Sequence, residues 1–215
     1  MSLLGKDLTG KVIMITGAAG SIGSEIVRQV GIFNPEKVIL FERGENDLYH
    51  LEAELKKSWA SARFVTFVGD VRDRDRVKEC LEKYNPAYIF HAAAYKHVPM
   101  MEGNPVEALK NNILGTKVMV DLAAEYDVEK FVLISTDKAV RPTNVMGATK
   151  RVAELILQDK AASVSHRTQF IAVRFGNVLG SNGSVIPLLK QQIAEGGPVT
   201  VTHPEITRYF MTIPE

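Results

Sequence analysis

The stretch Val12-Ile-Met-Ile-Thr16-Gly17-Ala-Ala-Gly20-Ser-Ile-Gly23-Ser-Glu-Ile-Val-Arg-Gln-Val30 decides the fold. Its first five residues form an apolar, β-rich run, three glycines follow within seven positions, and then Ile22, Ile26 and Val30 recur at helical spacing. This is a strand, a tight turn and a helix in succession. Glycines allow the turn and bring backbone N–H groups at a helix start close to a phosphate, whose charge the helix dipole favours. Glu42 closes the next apolar run about 20 residues on, where an acidic side chain meets a ribose 2′-hydroxyl. Gly17, Ala19, Gly20, Ser21, Ile22 and Gly23 therefore read as a cradle for a dinucleotide. Glu42, Arg43, Asp70 and Val71 stand at its adenosine end. Glu42 repels the 2′-phosphate of NADP and so favours NAD, although Arg43 beside it is able to pair with that phosphate. No Gly-Lys-Ser/Thr follows the glycines, which excludes a P-loop.

The alternation continues along the chain. Further strands are predicted at Val38–Phe41, Phe64–Val68, Tyr88–His91, Phe131–Ser135 and Phe170–Phe175, with helices over 47–58, 73–83, 105–126 and 145–161. Continuously apolar strands separated by helices imply an α/β fold: a doubly wound parallel sheet of Rossmann type, covered on both faces. After Phe175 the rhythm changes to a Gly/Ser/Asn loop, a helix near Ile186–Ala194 and extended pieces at Val199–Val201 and Tyr209–Thr212. The expected organisation is a dinucleotide-binding domain over 1–175 and the start of a substrate lobe over 176–215. Ile213-Pro214-Glu215 resembles the first turn of a helix, so that lobe is expected to be incomplete.

Composition narrows the function classes. In 215 residues, 46% hydrophobic and 24% charged describe a globular protein rather than a disordered one. Lys plus Arg number 26 against 25 Asp plus Glu, so total charge draws the chain to neither nucleic acid nor an anionic membrane. One cysteine, Cys80, cannot close an internal disulfide, and the five histidines show no zinc spacing with it. No metal is expected, and a reducing, cytoplasmic compartment fits. The longest uncharged runs are too short and too rich in Gly and Asn for a membrane span of about 20 apolar residues.

A second cluster, Ser135-Thr136-Asp137-Lys138, closes the fifth strand on the edge where open α/β sheets bind ligands. Met146 and Lys150 follow at i and i+4 on one helix face. By itself an Asp-Lys pair is a solvated surface pair, and a helical Met is core packing. The motifs GAAGSIGSEIVRQ (17–29), HAAAYKHVPMMEGNP (91–105), STDKAVRPTNVMGATKR (135–151), RFGNVLGSNGSVIP (174–187) and HPEITRYFMTI (203–213) change that balance. Through them the chain resembles the extended short-chain dehydrogenase/reductase superfamily, and within it the nucleoside-diphosphate-sugar 4,6-dehydratases of the capsular polysaccharide (CapD-like) branch.

The resemblance implies a lyase that uses NAD as a retained cofactor and feeds surface polysaccharide synthesis. It makes Asp137 the acid and Lys138 the base, which requires the Asp137 pKa raised and that of Lys138 lowered. It gives Thr136 the sugar C4 hydroxyl and Lys150 the nicotinamide ribose. Met146 stands where most of the superfamily has a proton-transferring Tyr, a mark of this branch. Ala92, Ala93 and Ala94 offer small side chains against the cofactor. Lys96, Asn177, Ser184, Pro187 and Arg208 match substrate positions, with Arg208 suited to a diphosphate. A homo-oligomer built through the helices at 105–126 and 145–161 is implied, as is a membrane-tethered parent in some relatives. Two other readings remain open: a nucleotide-sugar 4-epimerase, and a catalytically silent NAD-binding module.

Overall fold

Six parallel strands form the central sheet, in the order β3-β2-β1-β4-β5-β6. The computed structural model describes residues 7–59, 63–163, 165–181, 185–201, 205, 207 and 209–214. The strands are β1 (Val12–Thr16), β2 (Lys37–Glu42), β3 (Phe64–Val68), β4 (Tyr88–His91), β5 (Lys130–Thr136) and β6 (Gln169–Phe175). Consecutive residues of each strand point to opposite faces. Both faces are covered over β1, β2 and β4, whereas no residue of β6 is buried and alternate residues of β5 stay half-exposed, so among the described residues the expected cover on both faces does not reach that edge of the sheet. On one face Met14, Ile39, Phe41, Ile89, Phe131 and Leu133 form a core with residues of α3 (Arg74–Tyr84), α6 (Thr116–Glu125) and α7 (Val145–Ala162). On the other, Ile13, Ile15, Val38, Leu40 and Tyr88 pack on α1 (Ser21–Gly31) and α2 (Glu45–Leu55). Each fully buried Ile, Leu or Phe here contributes roughly 1.5–3 kcal/mol relative to exposure. The predicted strands and sheet class agree with this architecture to within a residue or two at each end.

From β1 the chain moves outward through β2 and β3, then returns to the other side of β1 with β4. The crevice beyond the C-terminal ends of β1 and β4 is therefore the switch point at which such sheets bind ligands.

Two further expectations need correction. The segment 105–126 is not one regular helix: α5 (Pro105–Ala108) passes into a π-helical segment, Leu109–Gly115, before α6 resumes. That insertion turns Asn111 and Asn112 inward, where both are buried. A short α4 (Val98–Gly103) precedes α5. Val199–Val201 forms no strand, because the Thr200 N–H is spent on the Gln192 side chain at 3.0 Å, while the Gln192 amide donates to the Thr200 hydroxyl. Beyond β6, β7 (Asn177–Val178) pairs with β8 (Phe210–Met211) as a separate small parallel sheet, and α8 (Val185–Ala194) lies between them in sequence.

Candidate active site

At the end of β1 the backbone bends sharply. Gly17 has φ +64°, and a Cβ placed on it would lie 2.8 Å from the Ala93 backbone. A Cβ on Gly23 would lie 2.0 Å from the Gly17 carbonyl oxygen, so only glycine lets α1 start this close to β1. No side chain caps α1, and its first turn carries no acid, which leaves the positive end of the helix dipole facing the turn. Ala19, Ser21 and Ile22 are partly buried in this turn.

A cleft of about 350 Å³ opens beside it, lined by Gly17, Gly20, Glu42, Arg43, Asp70, Val71, Ala92, Ala93, Ala94, Tyr95 and Asn111, among others. Nine of the residues expected to hold a cofactor thus line one cavity. Glu42 closes β2 with both carboxylate oxygens engaged: Oε1 accepts from the backbone N–H of Arg43 (2.9 Å) and Gly44 (3.0 Å), and Oε2 from that of Ala19 (3.4 Å). Asp70 accepts from the Arg72 backbone and guanidinium. Burial alone would raise its carboxyl, but Arg72 and Arg43 hold it below the usual carboxylate value. Arg43 lies over the Tyr95 ring, 4.8 Å from its centroid, and 3.9 Å from Asp70. The glycine turn, the uncapped helix and the small alanines fit a phosphate-bridged dinucleotide.

A buried polar spine fixes the floor of this cleft. The Ala93 N–H donates to the Thr16 hydroxyl at 3.4 Å, and Thr16 lies 2.7 Å from His91 Nδ1. His91 Nε2 lies 3.1 Å from Thr116 Oγ1, whose own proton goes to the Asn112 carbonyl at 2.7 Å. Thr116 must therefore accept from Nε2–H, and His91 Nδ1 accepts from Thr16. Burial, and secondarily the charge of Lys150, push the His91 pKa down to about 3, so the imidazole is neutral. Asn112 clamps Tyr95 from both sides, accepting from its N–H at 2.8 Å and donating to its carbonyl at 3.0 Å, and also donates to Thr149 of α7.

Two strands further along, β5 ends in the second cluster. The Thr136 hydroxyl donates to Asp137 Oδ1 at 2.9 Å, and Lys138 Nζ donates to the same oxygen at 3.0 Å and to Asn177 Oδ1 at 3.2 Å. Here one electrostatic expectation is overturned. Burial does push the Asp137 carboxyl up, but the hydrogen bonds from Lys138 and Thr136 outweigh it and hold the group below its ordinary value.

The N-terminus of α7 abuts this turn. Asn144 caps the helix by accepting from the Gly147 N–H at 2.8 Å, and a Cβ on Gly147 would lie 2.3 Å from the Lys138 carbonyl oxygen. One turn further, Lys150 is buried with no hydrogen bond or ion pair among the described residues. Burial lowers its pKa to about 8, with the charge of Glu154 opposing the shift. Met146 is packed with Met101 and Ala108, against Tyr95, Val98 and Val145. It offers no proton and serves that apolar cluster.

Thr136, Asp137, Lys138 and Asn177 are brought together, and Lys150 faces inward on the adjoining helix. Lys96 is exposed and has no partner among the described residues, and Pro187 is exposed on α8. Ser184 and Arg208 lie outside the described residues. Three participants escaped sequence reading: Tyr95, Asn112 and Glu154. The Asn111-Asn112 pair inside an apolar periodic run, and an acid four residues after Lys150, were the available signals. No cluster of metal-binding side chains occurs among the described residues, and no helix among them is long and apolar enough to cross a membrane.

Comparison with known proteins adds to this geometry. A family model described as "Polysaccharide biosynthesis protein" matches residues 13–215. The capsular polysaccharide biosynthesis protein CapD of Staphylococcus aureus is 58% identical over 216 residues, covering 100% of this chain and 36% of that protein. A UDP-N-acetylglucosamine 4,6-dehydratase (inverting) of Campylobacter jejuni is 36% identical over 95% of this chain and 60% of its own length. A UDP-glucose 4-epimerase of Rickettsia rickettsii is 38% identical over 94% of this chain and 59% of its own. The X-ray structure of Pen from Bacillus thuringiensis superposes with a TM-score of 0.90 at 39% identity, covering 96% of this chain and 64% of that one. The chain thus spans a little over a third of the length of the capsular relative and about three-fifths of the enzymes it matches.

Proposed function

The chain belongs to the polysaccharide biosynthesis protein family, within the extended short-chain dehydrogenase/reductase superfamily of nucleotide-sugar dehydratases and epimerases, and from that premise we propose that it is an NAD-dependent 4,6-dehydratase acting on a UDP-N-acetylglucosamine-type nucleotide sugar. The observation that carries the reading is the hydrogen-bonded trio Thr136, Asp137 and Lys138 at the end of β5, where an acid and a base share one oxygen within 3.0 Å. Elimination of water across C5 and C6 of a sugar needs a base at C5 and an acid at C6, whereas epimerisation at C4 needs only a group that takes and returns the C4 hydroxyl proton.

NAD bound by the glycine turn and by Ala92–Ala94 after β4 would supply a reversible hydride acceptor, so that the sugar would be oxidised at C4, its hydroxyl proton passing to solvent, and later reduced at C6 with no net redox change. Lys150 holds the ribose beside the reacting carbon, and Thr136 orients the C4 hydroxyl. The low Asp137 pKa means that its carboxyl rests as an anion, so the pair becomes base and acid only by proton transfer from Lys138 Nζ across the 3.0 Å contact, which leaves a neutral amine and a carboxylic acid. The amine takes the C5 proton that the C4 ketone has acidified, and the acid protonates the departing C6 hydroxyl. Asn177, which accepts from Lys138 Nζ, aims the amine. The product is a 4-keto-6-deoxy sugar nucleotide for surface polysaccharide.

The epimerase relative at 38% identity keeps a second reading in play. Mass spectrometry of UDP-N-acetylglucosamine incubated in D2O with NAD and the protein separates the two. Loss of one water with deuterium retained in the sugar, abolished by Lys138→Ala, is the expected result. An isomer of unchanged formula would make it an epimerase, and an untouched substrate panel would leave an NAD-binding module.

A further inference from the structure

Glu154 lies one turn beyond Lys150 on α7 and is 2% exposed, yet no step above uses it. Its Oε1 accepts from the Ser135 hydroxyl at 2.6 Å and from Arg174 Nε at 2.8 Å, and Oε2 accepts from Arg151 at 3.0 Å and from Arg174 Nη2. One carboxylate therefore ties together the end of β5 beside Thr136, the inner face of α7, and the end of β6, three residues before Asn177. We propose that Glu154 is a positioning residue, the buried counter-charge that keeps Lys150 a cation while it fastens the strand ends around the Asp137–Lys138 pair.

The charge inventory carries the inference. Glu154, one turn along the same buried face, is the group whose charge favours the Lys150 cation, and His91 of β4 beside it is neutral; Arg151 of the same helix and Arg174 of β6 pair with Glu154 itself, and Asp137 and Lys138 stand on the turn packed against α7. Three cations share one anion. Lys150 has neither a hydrogen bond nor an ion pair among the described residues, so the field of Glu154 is what opposes loss of its proton. Guanidinium groups do not give up protons in proteins. If Glu154 were neutral, Lys150 would be the one member of the cluster able to relieve the repulsion, and it would do so by becoming an amine. The hydrogen bonds from Ser135, Arg151 and Arg174 in turn keep Glu154 ionised, against the effect of burial, with a pKa near 2. The pair is thus asymmetric: the acid is fixed as an anion, and the lysine is left poised.

This inference rests on the reading of Lys150 as the ribose-holding residue only for its consequence; the charge relation itself needs no turnover to be measured. The test is an NMR titration of protein carrying lysine labelled with 13C at Cε, with the Lys150 signal assigned by its absence in Lys150→Arg. In the wild type that signal is expected to titrate near pH 8. Glu154→Gln should move it down by about one pH unit or more, and Glu154→Asp should restore much of the difference. A folded Glu154→Gln protein, by circular dichroism, in which Lys150 titrates as in the wild type overturns the proposal. If Glu154→Gln does not fold, Arg174→Gln is decisive: removing a cation that competes for Glu154 should raise the Lys150 value, and an unchanged or lowered value overturns the proposal. A dehydratase assay that fails while the NMR shift appears would count against the reaction and not against this charge relation.

Discussion

Lys150 and His91 are both buried bases in the same polar interior, and each makes stability depend on pH in its own window. The folded pKa of Lys150, about 8, lies below the 10.5 of an exposed lysine. Between those values the unfolded chain binds the extra proton, so stability rises with pH across the window, and below pH 8 the full cost is present. Two and a half pH units correspond to on the order of 3 kcal/mol. Lys150→Met should therefore be more stable than the wild type at pH 7, with the advantage shrinking toward pH 10, as read by urea unfolding at each pH. The same variant should lose NAD affinity. His91 also has a lowered folded value, about 3 against 6.5, so the unfolded chain binds its proton first as pH falls. Stability should drop by about 1.4 kcal/mol per pH unit from 6.5 downward on its account. Protonation would cost His91 the Thr16 hydroxyl as donor, and with it the anchor of Ala93. Comparing acid unfolding of the wild type with His91→Gln measures that slope; equal slopes would mean that His91 protonates without penalty in the fold.

At the scale of the element, α7 is held against the active-site turn at a single close approach. With its Cβ position 2.3 Å from the Lys138 carbonyl oxygen, Gly147 cannot become Ala unless the helix or the Asp137–Ala139 turn moves by about an ångström. A displacement of that size at a reacting group costs on the order of 10²-fold in rate. Gly147→Ala should therefore lower turnover of the nucleotide sugar by about that factor and, because the same helix carries Lys150, weaken NAD binding by a smaller one; equal losses of both would place the damage in the fold as a whole. This contact was not legible in the sequence, where Gly147 was only a spacer between Met146 and Lys150. The strands and the glycine turn were legible, because burial on both faces leaves an uninterrupted apolar run and a close approach leaves glycine. The π-helical segment was not, because the apolar spacing of 105–126 continues through it, and only the Asn111-Asn112 pair marks the change. The protonation of the Asp137–Lys138 pair also escaped, since adjacency in sequence does not say whether two side chains turn toward one another or apart.

For the whole molecule, the sheet ends at β3 on one side and at β6 on the other, and the two edges differ. Among the described residues β6 has an unpaired backbone edge, with Val173 37% exposed, and α7 beside it leaves Val152 and Leu155 partly uncovered. An exposed apolar edge strand is a template for pairing with another chain. The helices to which the resemblance assigns subunit contact also present apolar residues, Leu109 and Leu114 from the π-helical segment and Val152 and Leu155 from α7. The 215-residue chain therefore has two routes to self-association with different signatures. Helix-to-helix contact about a two-fold axis closes as a dimer, whereas pairing of β6 with the β3 edge of the next chain is head-to-tail and continues without limit. Val173→Lys places a charge on the β6 edge and leaves both helices untouched. In sedimentation velocity over a range of concentrations, this variant should lose species larger than a dimer while retaining any dimer, and Leu109→Glu should do the reverse. If Val173→Lys leaves the large species in place, β6 is not the edge along which chains pair, and the apolar helix faces carry the association by themselves.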